Sequence, residues 1–276
     1  LNAGLLSALG GRLEFAPFVA ERLAALPAAL RRLDADIVAL QEVYRQQHRE
    51  FILAELRDVF PHFAYRRERH NRGIENGLMT LSRTPAIGSL TLFHDATIDE
   101  KLLDNKGALL CRIELKGGGS LILINLHTTA GSFLLHPEAP KTNRIRSRQI
   151  AQMLALAASE AGVTILAGDF NAGPGVSEEN FRQVLAAEFE SAYDLTHPPD
   201  QVYTWDPANR LNSSGPHRSS PPQRIDHVFI RKSDLAGGRI GLLRCEVCCV
   251  EAIVPTPQGE QVTVSDHYGL QVDLEV

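Results

Sequence analysis

Polar residues able to do chemistry recur at one kind of place in this chain, just beyond an apolar run. Asn2 stands in LNAGLL, Glu42 in IVALQE, Asn125 and His127 in LILINLHTTAG, and Asp169 and Asn171 in ILAGDFNAGPG. Asp226 lies in QRIDHVFI, and Asp266 and His267 sit in VSDHYGL ahead of the last apolar stretch. Singly, each has an ordinary explanation as a turn residue, a helix N-terminal acid or a satisfied core histidine. Together they supply what phosphodiester hydrolysis needs. The carboxylates of Glu42 and Asp266 are hard oxygen ligands of the kind Mg²⁺ takes, and Mn²⁺ or another divalent cation suits the same donors. His267 titrates near neutral pH, and a carboxylate on its other ring nitrogen, Asp226, would fix its tautomer and raise its basicity. Asn2, Asn125, Asn171 and His127 can hold non-bridging phosphate oxygens without adding negative charge. Two groups compete for the proton of the attacking water, His267 and Asp169. Ordinary pKa values of about 6.5 for His and about 3.9 for Asp favour His267.

These residues need elements that end at a common place. Val163 to Ala167 has the near-continuous, β-branched apolar character of a strand covered on both faces, closed by Gly168 and the turn Gly173-Pro174-Gly175. The same reading predicts a short strand over 36–40 and further strands over 77–82, 87–93, 107–115, 120–126, 225–231, 240–250 and 269–276. Residues 1–6 read as the remnant of a strand. Helical periodicity covers 17–33, with Pro27 kinking or dividing it, and then 45–58 and 143–160. Many strands are joined by turns too short for a crossover, so much of the sheet should be antiparallel or mixed, with two facing sheets and helices outside. No repeat or linker divides the chain, which reads as one domain over 1–276. The long irregular stretch 196–224 reads as a functional loop.

Composition narrows the class. The 276 residues are 44% hydrophobic and 22% charged, as in an ordinary soluble domain. Lys and Arg number 28 against 33 Asp and Glu, and the net charge of -5 provides no global field for nucleic acid. Arg66 to Arg72, and Arg144, Arg146 and Arg148 at a helix start, read as solvated faces. No apolar run reaches the roughly 18 residues of a membrane span. The chain starts at Leu1, so residues are expected upstream, and the compartment is either the cytoplasm or the exterior after removal of a signal. The spacing of Cys245 and Cys248 suits a metal or redox pair, but no second pair completes a zinc set. Buried thiols acting as small hydrophobes are the better reading.

The ordered set Asn2, Gln41-Glu42, Asn125-Leu126-His127, Gly168-Asp169-Phe170-Asn171, Arg224-Ile225-Asp226 and Ser265-Asp266-His267 resembles the endonuclease/exonuclease/phosphatase superfamily over essentially the whole chain. The resemblance implies a four-layer α/β/β/α sandwich of two mixed sheets, deoxyribonuclease-I-like, with a truncated first strand. It also implies Mg²⁺-dependent phosphoester cleavage. Glu42 is then the principal metal ligand, with Asp266 and Asn2 beside it. Asp169 and Asn171 orient the nucleophile and phosphate, and Asp226 supports His267.

Further segments resemble the neutral sphingomyelinases. Lys106-Gly107-Ala108-Leu109 is similar to their KGAL-type strand entry, and Tyr203-Thr204-Trp205-Asp206, followed by Asn209, to the TWD…N loop of bacterial members. This places Lys106 and Trp205 among the substrate-binding residues. It implies a monomer that cleaves a phospholipid and makes weak contact with a membrane surface, with Phe133 to Leu135 as an apolar lip. The paired aromatic hairpin of secreted members is absent from the sequence. A nuclease or abasic-site enzyme acting on nucleic acid is the alternative, an inositol-phosphate phosphatase comes third, and a non-catalytic binding module is disfavoured.

Overall fold

The computed structural model describes residues 16–66, 76–103, 105–115, 117–131, 139–198, 202–213 and 218–276. In chain order the elements are α1 (Val19–Leu33), β1 (Ile37–Leu40), α2 (Gln46–Leu56), β2 (His62–Ala64), β3 (Met79–Ser82), β4 (Ala86–Leu92) and α3 (Ile98–Leu103). They continue with β5 (Gly107–Glu114), β6 (Ser120–His127), α4 (Ala139–Ala158), β7 (Val163–Asp169), α5 (Glu178–Ala186), β8 (Phe189–Ser191) and α6 (Ala192–Thr196). The last are β9 (Asp226–Arg231), α7 (Lys232–Ala236), β10 (Gly241–Cys248), β11 (Val254–Pro255), β12 (Gln261–Val262) and β13 (Gly269–Glu275).

Six strands form one mixed sheet in the order β4-β5-β6-β7-β9-β8. The β6–β7 pair is parallel, and α4 is the crossover that a parallel connection requires. A second layer holds the antiparallel group β1-β3-β2 and the antiparallel pair β10-β13. Side chains alternate along each strand of the large sheet, as period two demands. Leu109, Cys111, Leu121, Leu123 and Ile165 face inward to the core between the layers. Ala108, Leu110, Ile122, Ile124 and Leu166 face outward onto Ile150 and Met153 of α4 and Phe181 and Val184 of α5. On the opposite side, Leu26 and Leu30 of α1 and Ile52 and Leu56 of α2 cover Met79 and Leu81. The order of layers is therefore α, β, β, α.

Two expectations change. Pro27 does not divide the first helix, which runs unbroken from Val19 to Leu33 and buries Arg22 and Leu26 before Pro27, and Ala29 and Leu30 after it. Arg146 is not on a solvated face. It is buried, with Nε and Nη2 donating to Thr129 O at 3.0 and 2.8 Å. Arg148 does lie at the surface, paired with Asp95 at 2.9 Å. Asn2, the strand over 1–6 and Phe133 to Leu135 lie outside the described residues.

Candidate active site

Alternation carries polar residues from the apolar core into one corner. Leu121, Leu123, Asn125 and His127 lie on the same face of β6, and Val163, Ile165, Ala167 and Asp169 on the same face of β7. Register then aligns the ends: His127 is opposite Asp169 in the parallel pair, and Asp169 is opposite Asp226 in the antiparallel pair. Gly168 is required here, because a Cβ on it would stand 2.1 Å from Leu126 O, and its φ of 139° favours glycine. The result is a row, His127, Asp169 and Asp226, across three neighbouring strands.

His267 joins this row from the other layer. Its Nδ1 lies 2.8 Å from Asp226 Oδ2, which leaves Nε2 as the working nitrogen. Asp169, Asp226 and His267 each offer a ligand atom, and these atoms lie within 4.8 Å of one another. Asp169 Oδ1 accepts from Asn171 N at 2.8 Å, and Oδ2 lies 3.4 Å from His127 Nε2. The Lys106 ammonium approaches the same imidazole, 3.0 Å from Nε2 and 3.3 Å from Nδ1. Asn171 sits at φ 46° and donates through Nδ2 to Thr128 O at 3.0 Å.

Charges in the corner set each other. Burial, then Lys106 and His267, hold His127 well below the ordinary His value, so its ring is neutral. Burial, reinforced by Asp226, pushes Asp169 up to about 7. Burial opposes charge on His267, but Asp226, Asp169 and Asp266 outweigh it and hold its pKa well above the ordinary value. Ordinary values put His267 near neutrality and Asp169 far below it. In the folded chain Asp169, not His267, titrates close to neutrality.

The second layer supplies Glu42 and Asp266. Glu42 follows β1 at φ 62°, a conformation that non-glycine residues seldom take outside constrained sites, and Tyr44 Oη donates to its Oε1 at 3.2 Å. Gly77 packs so closely that a Cβ on it would be 2.9 Å from both Glu42 Cα and the Tyr44 ring. Asp266 is buried, and Arg22 Nη1 stands 3.6 Å from its Oδ1. Burial disfavours charge on Asp266, but His267 and Arg22 more than compensate and keep its pKa below the ordinary range. Arg22 also feels the charge of Glu42. The three-residue cluster that the structure brings together is Asp169, Asp226 and His267, with Asp266 next to His267 in the chain and Glu42 sharing with Asp266 the charge of Arg22.

Two expected substrate ligands have other work. Asn125 is fully buried between the layers, where Nδ2 donates to Leu40 O and Met79 O, both at 3.1 Å, and Oδ1 accepts from Gln41 Nε2 at 2.7 Å. Those bonds engage its amide, so Asn125 braces the residues that lead to Glu42 and does not face phosphate. Trp205 is only 8% exposed and its backbone bridges Gln223 and His267. Most of its indole is covered.

Sequence reasoning missed the residues that hold the loops. Thr204 Oγ1 accepts from Ile225 N and Asp226 N, both at 3.1 Å, while Thr204 O accepts from Tyr268 N at 2.6 Å. One residue thereby clamps Asp226 to the His267 segment. Asn212 Nδ2 donates to Asp266 O at 2.9 Å, and Asn209 Nδ2 to Ser265 O at 3.2 Å. Arg22 carried a readable signal, since a basic residue occupies a position four before Leu26 and eight before Leu30 on the buried stripe of α1.

Residues 12–267 match the profile of the Endonuclease/Exonuclease/phosphatase family. The chain belongs to that family. The family's name spans endonucleases, exonucleases and phosphatases. It is 29% identical over 254 residues to the Drosophila melanogaster protein named "Putative neutral sphingomyelinase", a match covering 87% of this chain and 53% of that protein. The chain thus spans about half the length of this relative. Among solved structures it resembles sphingomyelinase C from Streptomyces griseocarneus, with TM-score 0.68, 19% identity and coverage of 92% and 91% of the two chains. It resembles a beta toxin mutant from Staphylococcus aureus with bound magnesium ions, with TM-score 0.70, 16% identity and coverage of 93% and 92%. It also resembles TDP2 of D. rerio complexed with a single-strand DNA product, with TM-score 0.69, 18% identity and coverage of 94% and 93%. These structural likenesses establish the family fold and leave the substrate open.

Proposed function

We propose that this family member is a Mg²⁺-dependent phosphodiesterase that cleaves a sphingophospholipid, releasing the phosphorylated headgroup and leaving a ceramide-like alcohol. The observation that carries the chemistry is the close grouping of Asp169, Asp226 and His267. The substrate class rests on the 29% identity to a protein named for sphingomyelin hydrolysis. The net charge of -5 gives a polyanionic duplex little attraction.

The donors fit a hard divalent cation. Glu42 and Asp266 are oxygen ligands held beside a corner rich in carboxylates, with no soft donor among the residues placed there. Such a cation, when bound, neutralises phosphoryl oxygens and favours attack at phosphorus. The chain's own residues do the remainder. Water adds to phosphorus as the bond to the ceramide-side oxygen breaks; the water's proton passes to a nearby base, and the departing oxygen takes a proton from solvent to leave as the alcohol. We assign that proton to Asp169, the carboxyl raised to about 7. His267, oriented by Asp226, presents Nε2 to the developing charge on phosphorus. Neutral His127, backed by Lys106, steadies Asp169 from its other side.

The test is a side-by-side assay with Mg²⁺ of sphingomyelin in mixed micelles, abasic-site duplex DNA and an inositol polyphosphate. Headgroup release from the lipid is expected. Preferential nicking of DNA, with no headgroup release, replaces the lipid reading with that of a nuclease.

A further inference from the structure

The β6–β7 ladder ends at His127 and Asp169, yet the chain beyond β6 stays inside the protein, with Thr128 and Thr129 both fully buried. Buried backbone groups that have left a ladder need other partners. Thr128 finds them in the segment that follows β7. Its N donates to Asp169 O at 2.9 Å and its Oγ1 to Phe170 O at 2.5 Å, while its own O accepts from Asn171 Nδ2 at 3.0 Å. One residue thus meets three successive residues of the Asp169 loop.

Thr129 turns the other way, to α4. Its N donates to Gln149 Oε1 at 2.8 Å, and its O receives both Nε and Nη2 of Arg146. Arg146 Nη1 donates in turn to Asn143 Oδ1 at 3.0 Å and to Asn180 Oδ1 at 3.3 Å. Residues 146 and 149 are three apart and share a helix face. The planar guanidinium aims two donors at one oxygen and fixes the direction of that carbonyl, which the point charge of a lysine could not do. Thr129 N and Thr128 O belong to one planar peptide group, so Gln149 and Asn171 hold the same rigid unit from opposite edges.

We propose that Gln149 and Arg146 are positioning residues for Asn171, fixing the Thr128–Thr129 peptide from which the Asn171 amide is oriented toward phosphate. This rests on the reading of the corner as a phosphodiesterase site in which Asn171 holds a phosphate oxygen. Linked hydrogen bonds polarise one another, so the Gln149 acceptor on Thr129 N strengthens Thr128 O as the acceptor for Asn171. Both positioning residues are buried and act through that peptide.

Gln149→Met keeps the volume and removes the acceptor, whereas Gln149→Glu keeps an acceptor oxygen. Gln152→Met is the control: Gln152 lies further along α4, where it accepts from His94 N at 3.1 Å and donates to Leu92 O at 3.0 Å, with no bond to Thr129. The first readout is the Asn171 side-chain amide in a proton–nitrogen correlation spectrum of the folded protein, identified by its loss in Asn171→Ala. It should shift in Gln149→Met and Arg146→Lys, shift less in Gln149→Glu, and stay in place in Gln152→Met. The second is kcat on whichever phosphodiester the parent turns over. Gln149→Met should lower it about tenfold in the parent and leave it unchanged in an Asn171→Ala background, with the same fall in Tm in both. Gln149→Glu should recover part of that loss. An Asn171 amide unmoved in both Gln149→Met and Arg146→Lys, or a second tenfold loss on top of Asn171→Ala, overturns the proposal. The spectrum needs no turnover, so a parent inactive on every phosphodiester, with the amide shifts present, would refute the reading of the corner and keep the positioning.

Discussion

Replacing Asn125 separates a brace between layers from a ligand for phosphate. The Asn125→Ala variant removes the donors to Leu40 O and Met79 O and the acceptor for Gln41 Nε2. Each lost bond that leaves a buried partner unsatisfied costs about 1–3 kcal/mol, and Gln41 retains a weak contact to Ala39 O at 3.5 Å. The two carbonyls dominate, which gives about 2–6 kcal/mol. In a chain of this size that corresponds to a fall in Tm of roughly 4–10 °C. Glu42 follows Gln41 directly, so kcat should fall as its position loosens, while KM for a soluble diester stays within about twofold. Thermal unfolding by circular dichroism and a substrate titration on the same preparation check both parts. An unchanged Tm with a much weakened KM would show that Asn125 faces the substrate, and would refute the brace.

Other outcomes follow from the same geometry. Thr204→Val deletes the acceptor for Ile225 N and Asp226 N, and a loss of roughly 1–2 kcal/mol in positioning should lower kcat about tenfold, with Thr204→Ser restoring most of it. Equal activity in Thr204→Val would remove the clamp from the account. Asp169 keeps its proton to about pH 7 when folded but releases it near pH 4 when unfolded, so its contribution to the stability of the ligand-free protein falls over that interval. The depressed His127 and His227 act in the opposite sense below about pH 6.5, so the comparison is made against Asp169→Asn. The Tm of that variant minus that of the parent should grow from about pH 5 to about pH 8; a difference that stays flat or shrinks contradicts the raised Asp169.

Most of the fold was legible because period-two alternation is strong in this chain. Leu121 to His127 and Val163 to Asp169 each show an apolar strand whose inward face ends in a polar group, and the paired register turned those ends into one row. What the sequence left hidden depends on contacts between distant segments. Asn125 stands where a phosphate ligand would stand, and only the second layer, reached through residues 85 positions away, shows that its amide is engaged. Trp205 reads as a substrate contact only through its TWD-like motif, and the folding of its loop onto the Asp226 and His267 segments is set by backbone bonds that the motif does not announce. The roles of Thr204 and Asn212 lie in bonds to backbone atoms, which side-chain chemistry along a sequence does not announce. Asp169 moves up to neutrality and His267 moves above it because burial and neighbouring carboxylates act on both at once.

The most direct test is turnover of a generic phosphodiester, such as bis(p-nitrophenyl) phosphate, by the parent and by the Glu42→Ala and His267→Ala variants. Each is assayed with Mg²⁺ and with chelator, after circular dichroism has shown that the variants are folded. The account predicts that chelation silences the parent and that either substitution lowers kcat by about two to four orders of magnitude. Undiminished hydrolysis by both variants would contradict it.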